Sequence, residues 1–235
     1  MADFIFMNAR TESLSGPGDA MDRMYRFQRH FYDASRRYYL LGRDQLLDRL
    51  APPQGGSILE IGCGTGRNLI GAGQRYAHAD LFGIDISQEM LKTALGNMSR
   101  AGLDRRVRVA CADATAFDPM ATLSRAHFDR VYFSYTLSMM PEWKAALRHA
   151  FSLLSRNGEL HIVDFGQCEA LPRGFRAALL RWLHLFHVSP WAELRKEVIR
   201  LAAAHGVSSH FEAPFRGYAW LAAIKPQGEL QATAL

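Results

Sequence analysis

The stretch Ile-Leu-Glu-Ile-Gly-Cys-Gly-Thr-Gly, from Ile58 to Gly66, limits what this 235-residue chain can fold into more than any other segment. An apolar run with strand character leads straight into three glycines on alternate positions, and helical periodicity follows at once. A backbone that must turn that sharply, and let something lie against it, needs positions without a Cβ. The helix behind the turn aims its unpaired N–H groups at whatever occupies the space. A strand, a glycine turn and a helix in that order open a parallel sheet with crossover connections.

The rest of the chain repeats the unit. Apolar runs at 57–62, 80–85, 106–111, 128–134 and 158–164 predict strands, with helices near 66–77, 87–101 and 141–155. Further on, 207–213 and 216–224 read as two strands joined at Pro214, and so short a link permits only an antiparallel pair. Ser189-Pro190 supplies a capping hydroxyl and a first-turn proline, which predicts a helix from Trp191 to a stop at Gly206. The fold class is therefore α/β: a doubly wound, seven-stranded sheet, mostly parallel with one antiparallel C-terminal strand, and helices on both faces.

The small and turn-forming residues that close 1–19 mark a tail. Over 20–54 the pattern is helical: Met21, Met24, Tyr25, Gln28, Phe31, Tyr32, Ser35, Tyr38 and Tyr39 share one face, as on a lid. A second helix, Arg43 to Leu50, stops before Pro52-Pro53. The domain proper spans 55–225 with a helical insert at 166–188, and 226–235 is a second tail. Hydrophobic residues make up 49% of the chain and charged ones 22%, the balance of a globular protein. No apolar run of about 18 residues occurs, so no spanning helix is expected. No signal segment is evident, which makes the expected location cytoplasmic. Cys63, Cys111 and Cys168 lie too far apart in sequence for a disulfide framework or a zinc site. The net charge is +5, and six arginines stand against Asp22 and Asp33 between Met21 and Arg43.

Asp85 ends the second strand about 20 residues past the last loop glycine, where an acid accepts bonds from both hydroxyls of a ribose. The same residue could instead cap the helix that starts near Ser87. Both features also suit a dinucleotide site, but the glycines are spaced GxGxG and not the GxGxxG fitted to a pyrophosphate. Glu60 just before them is awkward beside a diphosphate and useful beside a cation. Asp113 follows the third strand, where it can accept an exocyclic adenine amine. Glu-x-Gly-x-Gly-x-Gly, then Asp85, then Asp113-Ala114 resemble the class I S-adenosylmethionine methyltransferases, over about residues 55–165. That resemblance implies a Rossmann-like fold and S-adenosyl-L-methionine as cofactor, released as S-adenosyl-L-homocysteine. It places Gly62 and Gly64 against the methionine and ribose, Glu60 toward the amino group and Asp85 on the ribose. Ile86 would lie against adenine, with Asp113 and Ala114 on its edge. The segment from Phe128 through Ser134 to Tyr135 resembles the family's fourth motif, beside the sulfonium.

That fourth motif, Ser134-Tyr135-Thr136-Leu137, lacks the Asn-Pro-Pro-Tyr pattern that holds a planar nitrogen, which disfavours base and glutamine substrates. The block from Met24 to Asp44 resembles the bacterial diacylglycerylhomoserine N-methyltransferases of betaine lipid synthesis. It implies three methyl transfers to a lipid amine at an anionic membrane surface, by a protein bound peripherally at its inner face. Tyr25, Tyr32, Tyr39 and Tyr135 are the candidates to line the transfer pocket, because tyrosine faces favour quaternary ammonium groups. Arg36, Arg37 or Arg43 would take the headgroup carboxylate. Each tyrosine could equally be core packing of an amphipathic helix, and the arginines a solvated face. In the insert, Phe175, Ala178, Leu179, Trp182, Leu183 and Phe186 form an apolar face beside Arg173, Arg176 and Arg181. It could meet a membrane, pack on the core or form a dimer contact. His184 and His187 have no third ligand in view, so no metal is assigned, and no nucleic-acid-binding module is evident. Other acceptors (phosphatidylethanolamine or a soluble amine) and a cofactor-binding protein without turnover are the alternatives.

Overall fold

A computed structural model describes residues 40–185 and 188–226. Helices α1 (Arg43–Arg49), α2 (Arg67–Arg75), α3 (Gln88–Arg100), α4 (Pro119–Leu123), α5 (Trp143–Ser152), α6 (Arg173–Leu185) and α7 (Leu194–Ala204) surround one sheet. Its strands are β1 (Ser57–Ile61), β2 (Asp80–Asp85), β3 (Val107–Cys111), β4 (Phe128–Ser134), β5 (Leu154–Phe165), β6 (Ser208–Glu212) and β7 (Ala219–Lys225). The order across the sheet is β3-β2-β1-β4-β5-β7-β6. All neighbours run parallel except β7, which is antiparallel to both β5 and β6.

The strands β1, β2 and β4 are buried along nearly their whole length, as parallel strands covered on both faces must be. Leu46 and Leu47 of α1, Leu69 and Ala72 of α2, and Leu91, Ala94 and Met98 of α3 fill one face. On the other, α5 buries Trp143, Ala146, Leu147 and Ala150 at i, i+3, i+4 and i+7, beside Leu194, Val198, Leu201 and Ala202 of α7. Each large apolar side chain removed from water contributes about 1.5–3 kcal/mol. Since α2 follows β1 onto one face and α5 follows β4 onto the other, the chain departs in opposite directions from two adjacent strands. The carboxyl ends of these two strands are the usual ligand position in a doubly wound sheet.

Several expected boundaries shift. The helix expected over 141–155 ends at Ser152, because Leu154 already pairs with Phe128 as the start of β5. The helix expected from Trp191 begins at Leu194. Trp191 is drawn into the core instead, stacking on Trp143 at 5.7 Å and donating its indole N–H to the Leu137 carbonyl at 2.8 Å. The strand expected over 216–224 is Ala219–Lys225, since Pro214–Gly217 makes the turn. The short helix α4 was not expected, although Asp118 caps it through Met120 and Ala121 and Pro119 opens its first turn. Of the expected organisation, the tail 1–19, the lid up to residue 39 and 227–235 lie outside the described residues.

Arg130 fastens the approach to β1. Buried on β4, it donates to the carbonyls of Leu50 and Ala51 and pairs with Glu159 at 3.4 Å. Among the described residues, no helix is long and apolar enough to cross a membrane.

Candidate functional site

The glycine turn closes the carboxyl end of β1. Gly62, Gly64 and Gly66 all have positive φ, at 75°, 53° and 76°, where a side chain is strained. Their surroundings differ. A Cβ on Gly62 would lie 2.1 Å from Thr136 Cγ2, and one on Gly66 2.6 Å from Met98 Cε. Around Gly64 nothing comes within 4 Å of that position. Gly62 and Gly66 are thus pressed against the protein, whereas Gly64 faces open space.

Asp85 ends β2 beside this turn. Its Oδ2 accepts the Gly64 N–H at 2.7 Å and its Oδ1 the Ser87 N–H at 2.9 Å. The cap of α3 is Ser87, whose Oγ accepts from the Met90 N–H. Asp85 therefore does not act as that cap.

Glu60 is buried to 1% exposure on β1. Its Oε1 accepts from the Asn68 amide at 2.7 Å, and the buried Tyr132 hydroxyl acts on the same carboxyl. Burial pushes the Glu60 carboxyl up to about 8, with Asn68 and Tyr132 opposing. A buried acid held by neutral groups suits a cation arriving from outside. Asn68, on the first turn of α2, was not singled out in the sequence; the only signal was an amide eight residues from an acid next to a glycine turn.

Ile86 follows Asp85 and is half-buried, its carbonyl accepting from the Cys111 thiol at 3.5 Å. Asp113 is exposed, and its Oδ1 accepts the Thr115 N–H at 2.8 Å and the Thr115 hydroxyl at 2.7 Å. Ala114 is buried at 7% exposure. Ser134 ends β4, its hydroxyl buried and without a hydrogen-bond partner. The carboxyl ends of β1, β2, β3 and β4 thus bring together Glu60, Gly62, Gly64, Asp85, Ile86, Asp113, Ala114 and Ser134.

Tyr135 is only 1% exposed, at a positive φ of 57°. Its ring meets Phe165 edge-on at 4.6 Å and its hydroxyl donates to the Leu41 carbonyl. Burial raises its phenol above the ordinary value. In this position it anchors the chain entering α1. Tyr25, Tyr32, Tyr39, Arg36 and Arg37 lie outside the described residues. Arg43 lies within them, and its charge acts favourably on both Glu60 and Tyr135.

Asp164, near the end of β5, also escaped the sequence reading. Its Oδ2 accepts the Ser138 N–H at 3.0 Å, and burial raises its carboxyl to about 6. It holds the turn after β4 that carries Thr136, the residue seated on Gly62. Cys63 and Cys168 are buried, Cys111 is exposed, and none of the three forms a disulfide. His184 is exposed and His187 lies outside the described residues. Among the described residues, no group of three or more His, Cys, Asp or Glu side chains could hold a metal.

Residues 58–158 match the family described as "Methyltransferase domain". The malonyl-(acyl-carrier protein) O-methyltransferase of Halorhodospira halophila is 32% identical over 161 residues, covering 64% of this chain and 52% of that protein. The phosphatidylethanolamine N-methyltransferase of Cereibacter sphaeroides is 32% identical over 113 residues, 47% of this chain and 51% of that one. The chain thus spans about half the length of each of these two relatives. The solved magnesium protoporphyrin IX methyltransferase of Synechocystis PCC 6803, with S-adenosylhomocysteine bound, superposes with a TM-score of 0.62 at 18% identity. That superposition covers 89% of this chain and 100% of the other, and it shows a shared fold.

Proposed function

We propose that this chain, whose residues 58–158 form a class I methyltransferase domain, is an S-adenosylmethionine-dependent N-methyltransferase acting on diacylglycerylhomoserine. Successive transfers would give the trimethylated betaine lipid. The observation that carries the cofactor is the pairing of Gly64, open on empty space, with the buried carboxyl of Glu60 two residues before the turn.

The residues present fit that cofactor. Glu60 would hold its ammonium and ionise on doing so, and the Asp85 carboxylate, which accepts two backbone N–H groups, would take its ribose hydroxyls. Gly64 allows close approach along the backbone while Gly62 makes room for Thr136; Ile86 would offer an apolar surface, and Asp113 with Ala114 would take the adenine edge. When bound, S-adenosylmethionine supplies an electrophilic methyl on a sulfonium, open to in-line displacement.

The protein's own part is positioning, which can supply most of the rate enhancement in such a displacement. The chain's residues would hold the acceptor amine with its lone pair in line with the sulfonium methyl, and leave each of the first two products open to solvent so that its proton can depart before the next transfer. Arg43 is the candidate to hold the headgroup carboxylate. Tyr25, Tyr32 and Tyr39 would face the growing ammonium, at roughly 0.5–2 kcal/mol each. Tyr135 helps by fixing Leu41 and the start of α1. No residue is assigned as general base.

Similarity to the Cereibacter sphaeroides enzyme favours phosphatidylethanolamine as a second acceptor. Incubating the purified chain with S-adenosylmethionine and each lipid, followed by mass spectrometry, separates the two. Mono-, di- and trimethylated homoserine lipid is expected. Products from phosphatidylethanolamine alone would reassign the headgroup, and binding of S-adenosylhomocysteine with neither lipid methylated would end the lipid reading.

A further inference from the structure

We propose that α6 and the neighbouring 214–217 turn form a surface that docks on an anionic lipid bilayer. The thirteen residues of α6, Arg-Gly-Phe-Arg-Ala-Ala-Leu-Leu-Arg-Trp-Leu-His-Leu, include no acidic side chain. The helix rests on the domain through Leu183, which is buried, with Leu180 beside it against the cluster that holds Tyr135 and Phe165. Its other side is also apolar. Phe175, Ala178, Trp182 and Leu185 recur at i, i+3, i+7 and i+10 and so share one face. Phe175 is 60% exposed, Trp182 39% and Leu185 71%. Arg173, Arg181 and His184, all exposed, fall along one flank of that stripe. The apolar residues of the insert thus divide between the core and an outward face.

A second exposed aromatic lies next to it. Cys168 N–H donates to the Gly217 carbonyl at 2.8 Å and Ala170 N–H to the Arg216 carbonyl at 3.3 Å, lacing the approach to α6 onto the turn. In that turn Phe215 and Arg216 stand consecutively at φ 54° and 59°, a conformation that residues with a Cβ adopt at a cost. Phe215 is 41% exposed. Both segments border the sheet edge where Phe165 ends β5 and Ala219 begins β7, the same edge as the glycine turn.

Charge selects the occupant. An aromatic and aliphatic stripe with a purely basic flank is the pattern of a helix lying in a membrane interface. A second copy of this chain docked through the same stripe would bring two basic flanks into one interface, and the chain as a whole carries +5. Docked this way, the protein brings the glycine-turn edge of the sheet to the headgroup layer. The inference rests on the lipid-acceptor reading for its purpose only.

The test is co-sedimentation of the full chain with vesicles of phosphatidylcholine mixed with phosphatidylglycerol, against phosphatidylcholine alone. Salt-sensitive binding to the mixed vesicles is expected, weakened roughly tenfold or more in Phe175→Ser/Leu185→Ser and in Arg173→Glu/Arg181→Glu. Both variants should keep the wild-type Tm and affinity for S-adenosylhomocysteine, because the altered side chains face outward. A wild type that ignores both vesicles, or variants that sediment unchanged, would overturn the docking. So would a dimer of the wild type that Phe175→Ser/Leu185→Ser converts to monomer. Methylation of diacylglycerylhomoserine in detergent micelles is scored separately. Vesicle binding without methylation refutes the acceptor and leaves the docking, and methylation without vesicle binding does the reverse.

Discussion

Asp85 Oδ2 accepts the Gly64 N–H at 2.7 Å, joining the end of β2 to the open member of the glycine turn 21 residues earlier. One carboxylate therefore shapes the turn, and in the proposed function it also takes the ribose hydroxyls. Replacing it by alanine removes both roles. Asp85→Ala should weaken S-adenosylhomocysteine binding by a few kcal/mol, about 1.5–3 for each hydroxyl bond lost. Calorimetric titration checks it, and an unchanged dissociation constant takes Asp85 out of the site.

The contrast between Gly62 and Gly64 predicts opposite phenotypes. Gly62→Ala puts a methyl 2.1 Å from Thr136 Cγ2 at positive φ, so the fold should lose several kcal/mol, roughly 1–3 from overpacking alone. Thr136→Ser in the same chain should recover part of that loss. Gly64→Ala meets no neighbour and should cost the fold only about 1–2 kcal/mol of backbone strain, yet abolish cofactor binding by filling the open space. Urea unfolding and calorimetry on the same three proteins read both effects; equal stability losses for Gly62→Ala and Gly64→Ala would contradict the assignment.

Glu60 predicts a pH dependence. Its folded value of about 8 lies above the ordinary 4.5, so the folded state holds a proton that the unfolded state has released. Its contribution to stability is fully present below 4.5 and is lost as pH rises through 8. Glu60→Gln should therefore be more stable than wild type above pH 8, on the order of a few kcal/mol, and flatter in Tm across pH 6 to about 9. Because a bound ammonium favours the carboxylate, cofactor binding near pH 7 should release a proton. Titration of S-adenosylmethionine in buffers of different ionisation enthalpy measures it, and identical apparent enthalpies would refute it.

Removing residues 1–39 should leave S-adenosylhomocysteine affinity intact and abolish methylation of the lipid. The deletion stops short of Leu40, which is buried at 6% exposure, and of Leu41, which takes the Tyr135 hydroxyl. Tyr135→Phe keeps the ring contact with Phe165 and should cost about 0.5–1.5 kcal/mol in unfolding, the worth of one hydrogen bond. Full lipid turnover by the deleted chain would show that Tyr25, Tyr32 and Tyr39 are dispensable.

The strand ends and glycine turn that frame the candidate site were legible because their signals are local. Glu60, the three glycines and Asp85 each sit at the end of a strand whose apolar run announces it. What escaped depends on partners distant in the chain. Nothing near Gly62 in sequence indicates that Thr136 presses on it, and nothing near Ser138 points to Asp164. The start of α7 was misplaced for the same reason: Ser189-Pro190 is a sound local start, but the stacking of Trp191 on Trp143 draws the chain aside for three more residues. Asn68, eight residues from Glu60, and α4, with the Asp118-Pro119 pair that caps and opens it, were missed despite local signals.

The reversal between β1 and β4 divides responsibility for the chemistry along the chain. Everything proposed to grip the methyl donor comes from one contiguous stretch, Glu60 to Ala114, plus Ser134. The parts assigned to the acceptor and the membrane, 1–43, α6 and the 214–217 turn, lie before or after it. Substitutions in those flanking parts can accumulate without touching the donor's cup. Exchanging them among chains of this fold should redirect the methyl group to a new recipient while the donor site is inherited unchanged.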